Sequence, residues 1–184
     1  MDLSGYRYQP YYCEENAYFF CRDLLDRGED PEMLSALFIT NQNRCCLLNH
    51  QKAAPPGAPV LWDYHVILLQ SHPPASIVDP DCRLGLTLPA MTYLNATFPV
   101  GIPLSLRPLF RVVPAMEFME TFASDRRHMR YPDGSWHQPP PPWQPPHGPH
   151  PPGTHTLPLF LRTAGDDPTL PGELITLEQL RRRV

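Results

Sequence analysis

The longest nearly unbroken apolar run in the chain covers residues 60–69 and reads Val-Leu-Trp-Asp-Tyr-His-Val-Ile-Leu-Leu. Its β-branched and aromatic residues predict a single buried central strand. Asp63 and His65 interrupt the run, and because side chains alternate across a strand, we expect both on one face. A buried charge or imidazole costs free energy unless it is paired or used, so this strand is where a site is sought.

Apolar residues near the start of the chain recur with the period of a helix. The stripe consists of Ala17, Phe20, Cys21, Leu24 and Leu25. Four residues before this stripe stands Cys13, which we therefore expect in the first turn with its thiol facing the core. Glu14 and Glu15 suit the positive end of the helix, and we expect both to point away from the sulfur. Gly28 predicts where the helix stops.

The rest of the pattern is typical of an α+β chain with a mostly antiparallel sheet packed against helices. Short strands are predicted at residues 33–40, 44–48, 76–79, 109–113, 157–162 and 173–177. The second of these is expected to return along the first as a hairpin. A second helix is predicted after Pro114, and its apolar stripe is Ala115, Phe118, Met119 and Phe122. A short helix is predicted at residues 177–183, whereas the proline-interrupted stretch 83–108 permits no assignment.

Composition narrows the class of protein. With 184 residues, of which 42% are hydrophobic, the chain suffices for one domain, 1–184, with its own core. A net charge of −4 gives no reason to expect nucleic acid or an anionic membrane as partner. No apolar run reaches the ~20 residues of a membrane helix, and we expect no signal peptide.

Five cysteines without a Cys-x-x-Cys pair argue against a structural zinc site. An odd number without a secretory context favours reduced thiols, so we expect a cytoplasmic or also nuclear protein. Residues 138–152 hold nine of the 26 prolines, so we expect a loop excursion over residues 137–156. The alternative is a polyproline II ligand for SH3 or WW domains on a non-catalytic interaction protein.

A thiol at a helix start and an imidazole on a central strand suggest a cysteine nucleophile with a general base. Cys13 and His65 are the residues in question. A helix N-terminus and a nearby imidazolium both lower the pKa of a thiol, which favours the nucleophilic thiolate. Chance groupings of cysteine, histidine and carboxylate are common, however, so a third member has to be argued separately.

Strand register predicts that third member. If the central strand and the short strand after it pair antiparallel about a bend at His72, then His65 lies opposite Asp79. Directly opposed residues have Cβ atoms roughly 5 Å apart on one face, which lets a carboxylate hold the imidazole. Asp81 would be a diagonal neighbour beyond Pro80, and a proline ends a ladder. Asp79 is therefore the preferred partner.

Four segments in order resemble the protein N-terminal glutamine amidohydrolase family, thiol enzymes of the N-degron pathway. They are Tyr-Cys-Glu-Glu-Asn at 12–16, Trp-Asp-Tyr-His-Val at 62–66, Phe-Ala-Ser-Asp-Arg at 122–126 with His-Met at 128–129, and four prolines at 139–142. The resemblance runs from about residue 8 to residue 142. It implies a papain/transglutaminase-like fold with the nucleophile at a helix N-terminus. It also implies deamidation of an N-terminal Gln side chain to Glu, with release of ammonia through a thioester.

Carried over by motif, the resemblance makes Cys13 the nucleophile, His65 the base and Asp79 the acid of a catalytic triad. Asp79 matches the first aspartate of the family's Asp-x-Asp pair, although Val78 stands where tyrosine is usual and Pro80 separates the two aspartates. No metal or organic cofactor is implied. The expected partners are peptides or proteins with an N-terminal Gln, and we expect a monomer.

Choosing an N-terminal Gln over an internal one requires recognition of a free α-ammonium group by carboxylate or carbonyl oxygens. Asp63 and Asp125 are the candidate substrate-binding residues. Each has an ordinary alternative, because Asp63 can pair with an arginine and Asp125 can cap a turn. A related thiol peptidase or acyltransferase is the rival function within the same chemistry.

Overall fold

The computed structural model describes residues 5–164 and 167–184, and eight strands lie within them. They are β1 (Leu34–Thr40), β2 (Cys46–Leu48), β3 (Val60–Trp62), β4 (His65–Gln70), β5 (Ser76–Val78), β6 (Thr87–Pro89), β7 (Leu109–Pro114) and β8 (Glu173–Thr176). Six of them form one sheet in the order β6-β5-β4-β1-β7-β8, and every neighbouring pair is antiparallel. Strands β2 and β3 form a separate antiparallel pair.

Helices cover both faces of the six-stranded sheet. They are α1 (Cys13–Asp26), α2 (Ala90–Thr97), α3 (Ala115–Thr121), α4 (Leu157–Phe160) and α5 (Leu177–Arg181). The first, third and fourth helices share a core with Phe38 and Val66, whereas α2 and α5 share one with Leu37 and Ile67. Alternate residues of β1 and β4 thus face opposite cores, as strand geometry requires. The predicted mixed α+β class with a mostly antiparallel sheet is confirmed.

Helix α1 forms as its apolar stripe predicts. It begins at Cys13 and is closed by Gly28, whose φ of 89° lies in the left-handed region and whose N–H donates to the carbonyl of Leu25. The side chain of Asn16 bonds both the backbone N–H and the carbonyl of Gln9. Because that amide is buried, it fixes the path by which the chain enters the helix.

The prediction of one central strand over residues 60–69 is wrong. The run divides at Asp63 and Tyr64, where the Asp63 carboxylate accepts the Tyr64 backbone N–H and the Asp63 carbonyl accepts the Thr40 hydroxyl. Such local side-chain bonds compete with a strand ladder. Strand β3 therefore pairs with β2, so residues 44–48 do not return along β1 as expected; β1 lies between β4 and β7.

Two further stretches differ from expectation. Residues 157–162 contain the four-residue helix α4 (Leu157–Phe160) rather than a strand, because Pro158 suits the first helical turn and cannot donate to a ladder. The unassigned stretch 83–108 contains β6 and α2. Strand β7, helix α3, strand β8 and helix α5 lie where the pattern predicts, and a capping box of Thr176 and Gln179 begins α5.

Residues 137–156 contain neither helix nor strand, in line with the predicted loop. The loop is nevertheless packed against the domain. Arg126 donates to the carbonyls of Pro141 and Trp143, and the backbone N–H of Ser124 donates to that of Pro146. At Gly148, with a φ of 49°, an added Cβ would lie 2.6 Å from a backbone carbonyl oxygen of α3. The tract is therefore a fitted strap rather than a solvated excursion.

All five cysteines are free thiols, and four of them are buried. Burial raises the pKa of Cys21 and of Cys46 to about 12, so both act as apolar core residues. Within residues 5–164 and 167–184, none of the helices combines the length and the apolar character needed to cross a bilayer.

Candidate active site

A cavity of about 440 Å³ is lined by the first residues of α1 and of β4. Cys13 and His65 both line it, with 8% and 2% of their surfaces exposed. The Trp62 ring stacks on the imidazole with centroids 6.3 Å apart and planes 11° apart, and the Tyr11 ring packs edge-on against Trp62. The structure thus brings the predicted thiol and imidazole to one sheltered wall.

The sulfur of Cys13 sits beside the start of β4. The backbone N–H of Val66 donates a hydrogen bond to it, which lowers the pKa of the thiol. Val66 directly follows His65, so this contact ties the helix start to the strand that carries the imidazole. The register of β4 on β1 places Val66 opposite Phe38 in the middle of the sheet, so the sulfur lies against a paired strand.

The other influences on Cys13 act in the opposite direction. Burial raises the pKa of the thiol well above its usual value, and the carboxylates of Glu14, Asp81 and Asp63 raise it further. The expectation that Glu14 points away is wrong: its Oε2 lies 3.7 Å from the sulfur. Tyr64 donates its hydroxyl to that oxygen at 3.0 Å, while Oε1 lies 3.1 Å from a His128 ring nitrogen. A resting thiol in these surroundings keeps its proton.

Glu15 also turns inward, but toward a different partner. Arg126 grips its carboxylate with two hydrogen bonds of 2.6 and 2.8 Å, and the Trp143 indole N–H donates to it at 3.0 Å. Both members of the ion pair are buried, so removing either would leave a costly lone charge. Arg126, at a φ of 63°, thereby locks the first turn of α1 to the proline-rich strap.

Asp79 holds the imidazole from behind. Its Oδ1 lies 3.0 Å from Nε2 of His65 and accepts the backbone N–H of Asp81 at 2.9 Å. Its Oδ2 accepts Gln51 Nε2 at 3.0 Å and the Tyr93 hydroxyl at 2.8 Å. The carboxylate is 1% exposed, so these four hydrogen bonds replace the water that it loses. Nδ1 of His65 is the ring nitrogen left for the cavity.

The charges of this pair support each other. Burial alone would lower the pKa of His65, but the Asp79 charge and hydrogen bond outweigh it and the net direction is upward. Burial alone would raise the pKa of Asp79, but His65, Gln51 and Tyr93 together hold it below its usual value. The pair therefore stabilises the imidazolium that forms when His65 takes up a proton, with the ring orientation fixed.

The register that led to Asp79 is wrong, although the residue is the one in contact. Leu68 pairs with Val78 rather than with Ser76, a shift of two residues. A shift by an even number keeps every side chain on its original face, so Asp79 stays on the His65 side. It lies just beyond the last residue of β5 and reaches the imidazole from there.

The two candidate substrate-binding residues are placed differently. Asp63 is exposed and lines the cavity, and no arginine or lysine among the described residues lies within 4.0 Å of its carboxylate. Asp125 is not among the residues that line the cavity. It accepts the backbone N–H of Arg127 and pairs with its guanidinium, with His155 at 3.5 Å. Asp125 thus matches its ordinary alternative, a turn cap.

Several contacts at the site were not predicted from the sequence. Tyr93 and Gln51 hold Asp79, Glu14 lies beside the thiol, and His128 contacts Glu14. Tyr93 left a readable signal, because Ala90, Tyr93, Leu94 and Thr97 have helical spacing in the unassigned stretch. His128 stands in one of the four family segments, but the resemblance assigns no role to it. The contacts of Gln51, which lies in a loop, and of Glu14 depend on tertiary packing alone.

His65, Asp79 and Asp81 are the group among the described residues that could hold a metal ion, with ligand atoms within 4.8 Å of one another. Two of those atoms already form the His65–Asp79 hydrogen bond, so an ion there would break the pair. A thiol, an imidazole and an orienting carboxylate are instead the groups that acyl transfer uses.

Known proteins that are similar to this chain indicate which acyl group such a site acts on. A profile of the family described as N-terminal glutamine amidase matches residues 8–184. A relative from Arabidopsis thaliana named protein N-terminal glutamine amidohydrolase is 40% identical over 155 residues, 79% of this chain and 70% of its own. A relative of the same name from Drosophila ananassae is 40% identical, over 78% of this chain and 73% of the relative's length. Another of the same name, from Bos taurus, is 37% identical, over 73% of this chain and 67% of the relative's length.

Proposed function

The chain belongs to the N-terminal glutamine amidase family, and from that premise we propose that it converts an N-terminal Gln of peptides and proteins to Glu, with release of ammonia. One observation supports this most strongly: Cys13 and the His65–Asp79 pair line or border a single sheltered cavity. We further propose a papain/transglutaminase-like arrangement, because the thiol opens a helix and the imidazole opens a strand of an antiparallel sheet.

In the first step, the Cys13 sulfur attacks the side-chain amide carbon of the substrate Gln. Burial and nearby carboxylates keep the resting thiol protonated, so His65 Nδ1 takes that proton as the carbon–sulfur bond forms. The developing oxyanion needs donors. We assign one to the Cys13 backbone N–H, because the first N–H groups of a helix lack an intrahelical acceptor.

The second half of the reaction reverses the proton's path. Imidazolium at His65 donates its proton to the leaving nitrogen, ammonia departs, and a thioester remains on Cys13. A water molecule deprotonated by His65 then attacks the thioester and releases the Glu product with the thiol restored. Asp79 stabilises the imidazolium in both halves and fixes the tautomer that presents Nδ1. No step of this scheme uses a metal or an organic cofactor.

The test measures ammonia release from three peptides of one composition, with Gln first, Asn first, or Gln internal. We expect release from the Gln-first peptide only, with loss of all activity in Cys13→Ala. Cys21→Ala is the matched control, because Cys21 is a fully buried thiol on the same helix; it should retain activity. Cleavage of a backbone bond, or ammonia from the internal Gln, would point to a related peptidase or acyltransferase instead.

The proposed setting is the cytoplasm or nucleus, where five free thiols remain reduced, and the proposed assembly is a monomer. The rival interpretation of the proline-rich tract as a ligand for SH3 or WW domains finds little support in its contacts. Carbonyls of Gln138, Pro141, Trp143 and Pro146 are already engaged by the domain itself.

A further inference from the structure

A second buried carboxylate borders the cavity two residues after Asp79. Asp81 lines the cavity with 8% of its surface exposed, and its Oδ1 accepts the Tyr8 hydroxyl at 2.6 Å. Among the described residues, no cationic group lies within 4.0 Å of it. The two nearest candidates are used elsewhere: His65 bonds Asp79, and Lys52 donates to the Pro80 carbonyl at 2.6 Å.

An uncompensated buried carboxylate is costly for a folded protein. The pKa of Asp81 is raised, chiefly by burial and also by the neighbouring charge of Asp79; the charges of His65 and Lys52, which lie beyond 4.0 Å, offset this only in part. Such a group is held where a positively charged ligand can reach it, since a bound cation would offset the cost of burial.

The proposed substrate brings such a cation into the cavity that both Cys13 and Asp81 line. In glutamine, the α-nitrogen is four bonds from the amide carbon that Cys13 attacks, a span of about 5 Å at standard bond lengths. Asp81 is close enough to Cys13 for its charge to raise the pKa of the thiol. An amide carbon held at the sulfur therefore leaves the ammonium group within the same cavity.

We propose that the Asp81 carboxylate binds the α-ammonium group of the substrate's first residue and so restricts the reaction to chain termini. This inference rests on the proposed function and adds the residue that distinguishes a terminal Gln from an internal one. An internal Gln has a peptide nitrogen in that position, which carries no charge, so it would leave Asp81 buried without a cation.

The other carboxylates near the sulfur are less suited to this task. Oε2 of Glu14 accepts the Tyr64 hydroxyl and Oε1 lies 3.1 Å from the His128 ring, and Glu14 does not line the cavity. Asp79 has four hydrogen bonds. Asp63 lines the cavity but is exposed, and a solvated ion pair is worth little. Only Asp81 combines burial, access and an unmatched charge.

The experiment compares two peptides that differ in one group. The first begins with Gln; the second begins with a glutaramoyl group, which has the same side-chain amide but no α-amino group. We expect Asp81→Asn to lower kcat/KM for the Gln peptide by about 100-fold, because a buried charge loses its partner. It should change kcat/KM for the glutaramoyl peptide less than about threefold.

Asp63→Asn is the comparison for the rival carboxylate in the same cavity, and we expect a loss below about fivefold on both peptides. Glu29→Gln is the control, since Glu29 pairs with His72 and does not line the cavity; it should leave both rates unchanged. Equal losses on both peptides in Asp81→Asn would overturn the inference, as would no loss on either or a larger selective loss in Asp63→Asn. Thermal unfolding checks that each variant folds. If Asp81→Asn does not fold, the two peptides are compared with Asp81→Ala instead. Failure of the proposed function itself would look different: the wild-type protein would release no ammonia from the Gln peptide.

Discussion

Asp79 and Asp81 are two buried carboxylates separated by one residue, and only Asp81 lines the cavity; their surroundings are opposite. Asp79 has four hydrogen bonds and an imidazole, and its pKa is lowered. Asp81 has one hydroxyl donor and, among the described residues, no cation within 4.0 Å, and its pKa is raised. Burial alone therefore does not define the role of a carboxylate. The protein itself supplies the partners that stabilise the charge of Asp79, whereas a ligand would have to supply the cation for Asp81.

The largest effect is expected where the completed carboxylate is removed. In Asp79→Asn the amide no longer stabilises an imidazolium and can favour the wrong tautomer of His65. We expect kcat to fall by about 10⁴-fold, the effect of replacing the orienting aspartate of a triad by asparagine, on the Gln and glutaramoyl peptides alike. Steady-state kinetics on both peptides measure this. A loss confined to the Gln peptide would contradict this, because it would give Asp79 the role proposed for Asp81, recognition of the α-ammonium group.

Stability should change with pH in opposite directions for the two aspartates. The folded pKa of Asp79 is lowered, so its stabilisation is present above the ordinary value of about 3.8 and is lost as pH falls through the folded pKa. The folded pKa of Asp81 is raised, so its cost is present above that pKa and disappears as pH falls toward the ordinary value.

At pH 7 we therefore expect Asp79→Asn to lower the free energy of unfolding by roughly 3 kcal/mol and Asp81→Asn to raise it by about 1 kcal/mol. The Asp81 difference should shrink as pH falls toward 4, whereas the Asp79 difference should persist there and shrink only below about pH 3.8. Urea unfolding followed by tryptophan fluorescence at several pH values gives these quantities. A destabilised Asp81→Asn at pH 7 would show that its carboxylate is already compensated in the free protein.

A smaller effect is expected from weakening Asp79 without removing it. Tyr93→Phe deletes the 2.8 Å hydrogen bond to Oδ2 and so raises the pKa of Asp79 toward its ordinary value. One hydrogen bond to a buried charge is worth about 1.5–3 kcal/mol, so we expect kcat to fall roughly tenfold or more and the acid limb of the pH–rate profile to move upward. Tyr18→Phe, a buried tyrosine in the opposite core, is the control that should leave the profile unchanged.

The smallest effect concerns the single donor on Asp81. Tyr8→Phe removes the 2.6 Å hydrogen bond to Oδ1 but leaves the charge in place, and water can reach the partly exposed pair. We expect KM for the Gln peptide to rise a few-fold with kcat unchanged, and no change on the glutaramoyl peptide. A fall in kcat on both peptides would instead connect Tyr8 to the triad.

The period of apolar residues correctly predicted those helices and strands whose positions follow from the apolar face of a single element. The α1 stripe, β7 and the capped α5 all lie where local pattern places them. The break at Asp63 was hidden, because both halves of the apolar run are strands and only a local side-chain bond separates them. Helix α2 was hidden by prolines on either side, although its apolar spacing is readable.

The site was predictable where chemistry constrains residue type and unpredictable where packing decides contact. Cys13, His65 and Asp79 come together, yet the register used for Asp79 was off by two residues. Only the even size of that shift preserved the face. The inward turn of Glu14 has no sequence signal, since a glutamate in a first helical turn ordinarily faces solvent near the helix dipole.

The hydrogen bonds of the strap at residues 137–156 reflect a property of proline, its commonest residue. Proline offers a carbonyl but no amide hydrogen, so a segment rich in it presents acceptors with few donors of its own to satisfy. Arg126 and the Tyr12 hydroxyl, both adjoining the reactive end of α1, find their acceptors in this segment. Inserting or deleting one residue in the strap would move those carbonyls away from Arg126 and Tyr12. The start of α1 beside the cavity would then lose these contacts, although every reacting group would remain intact.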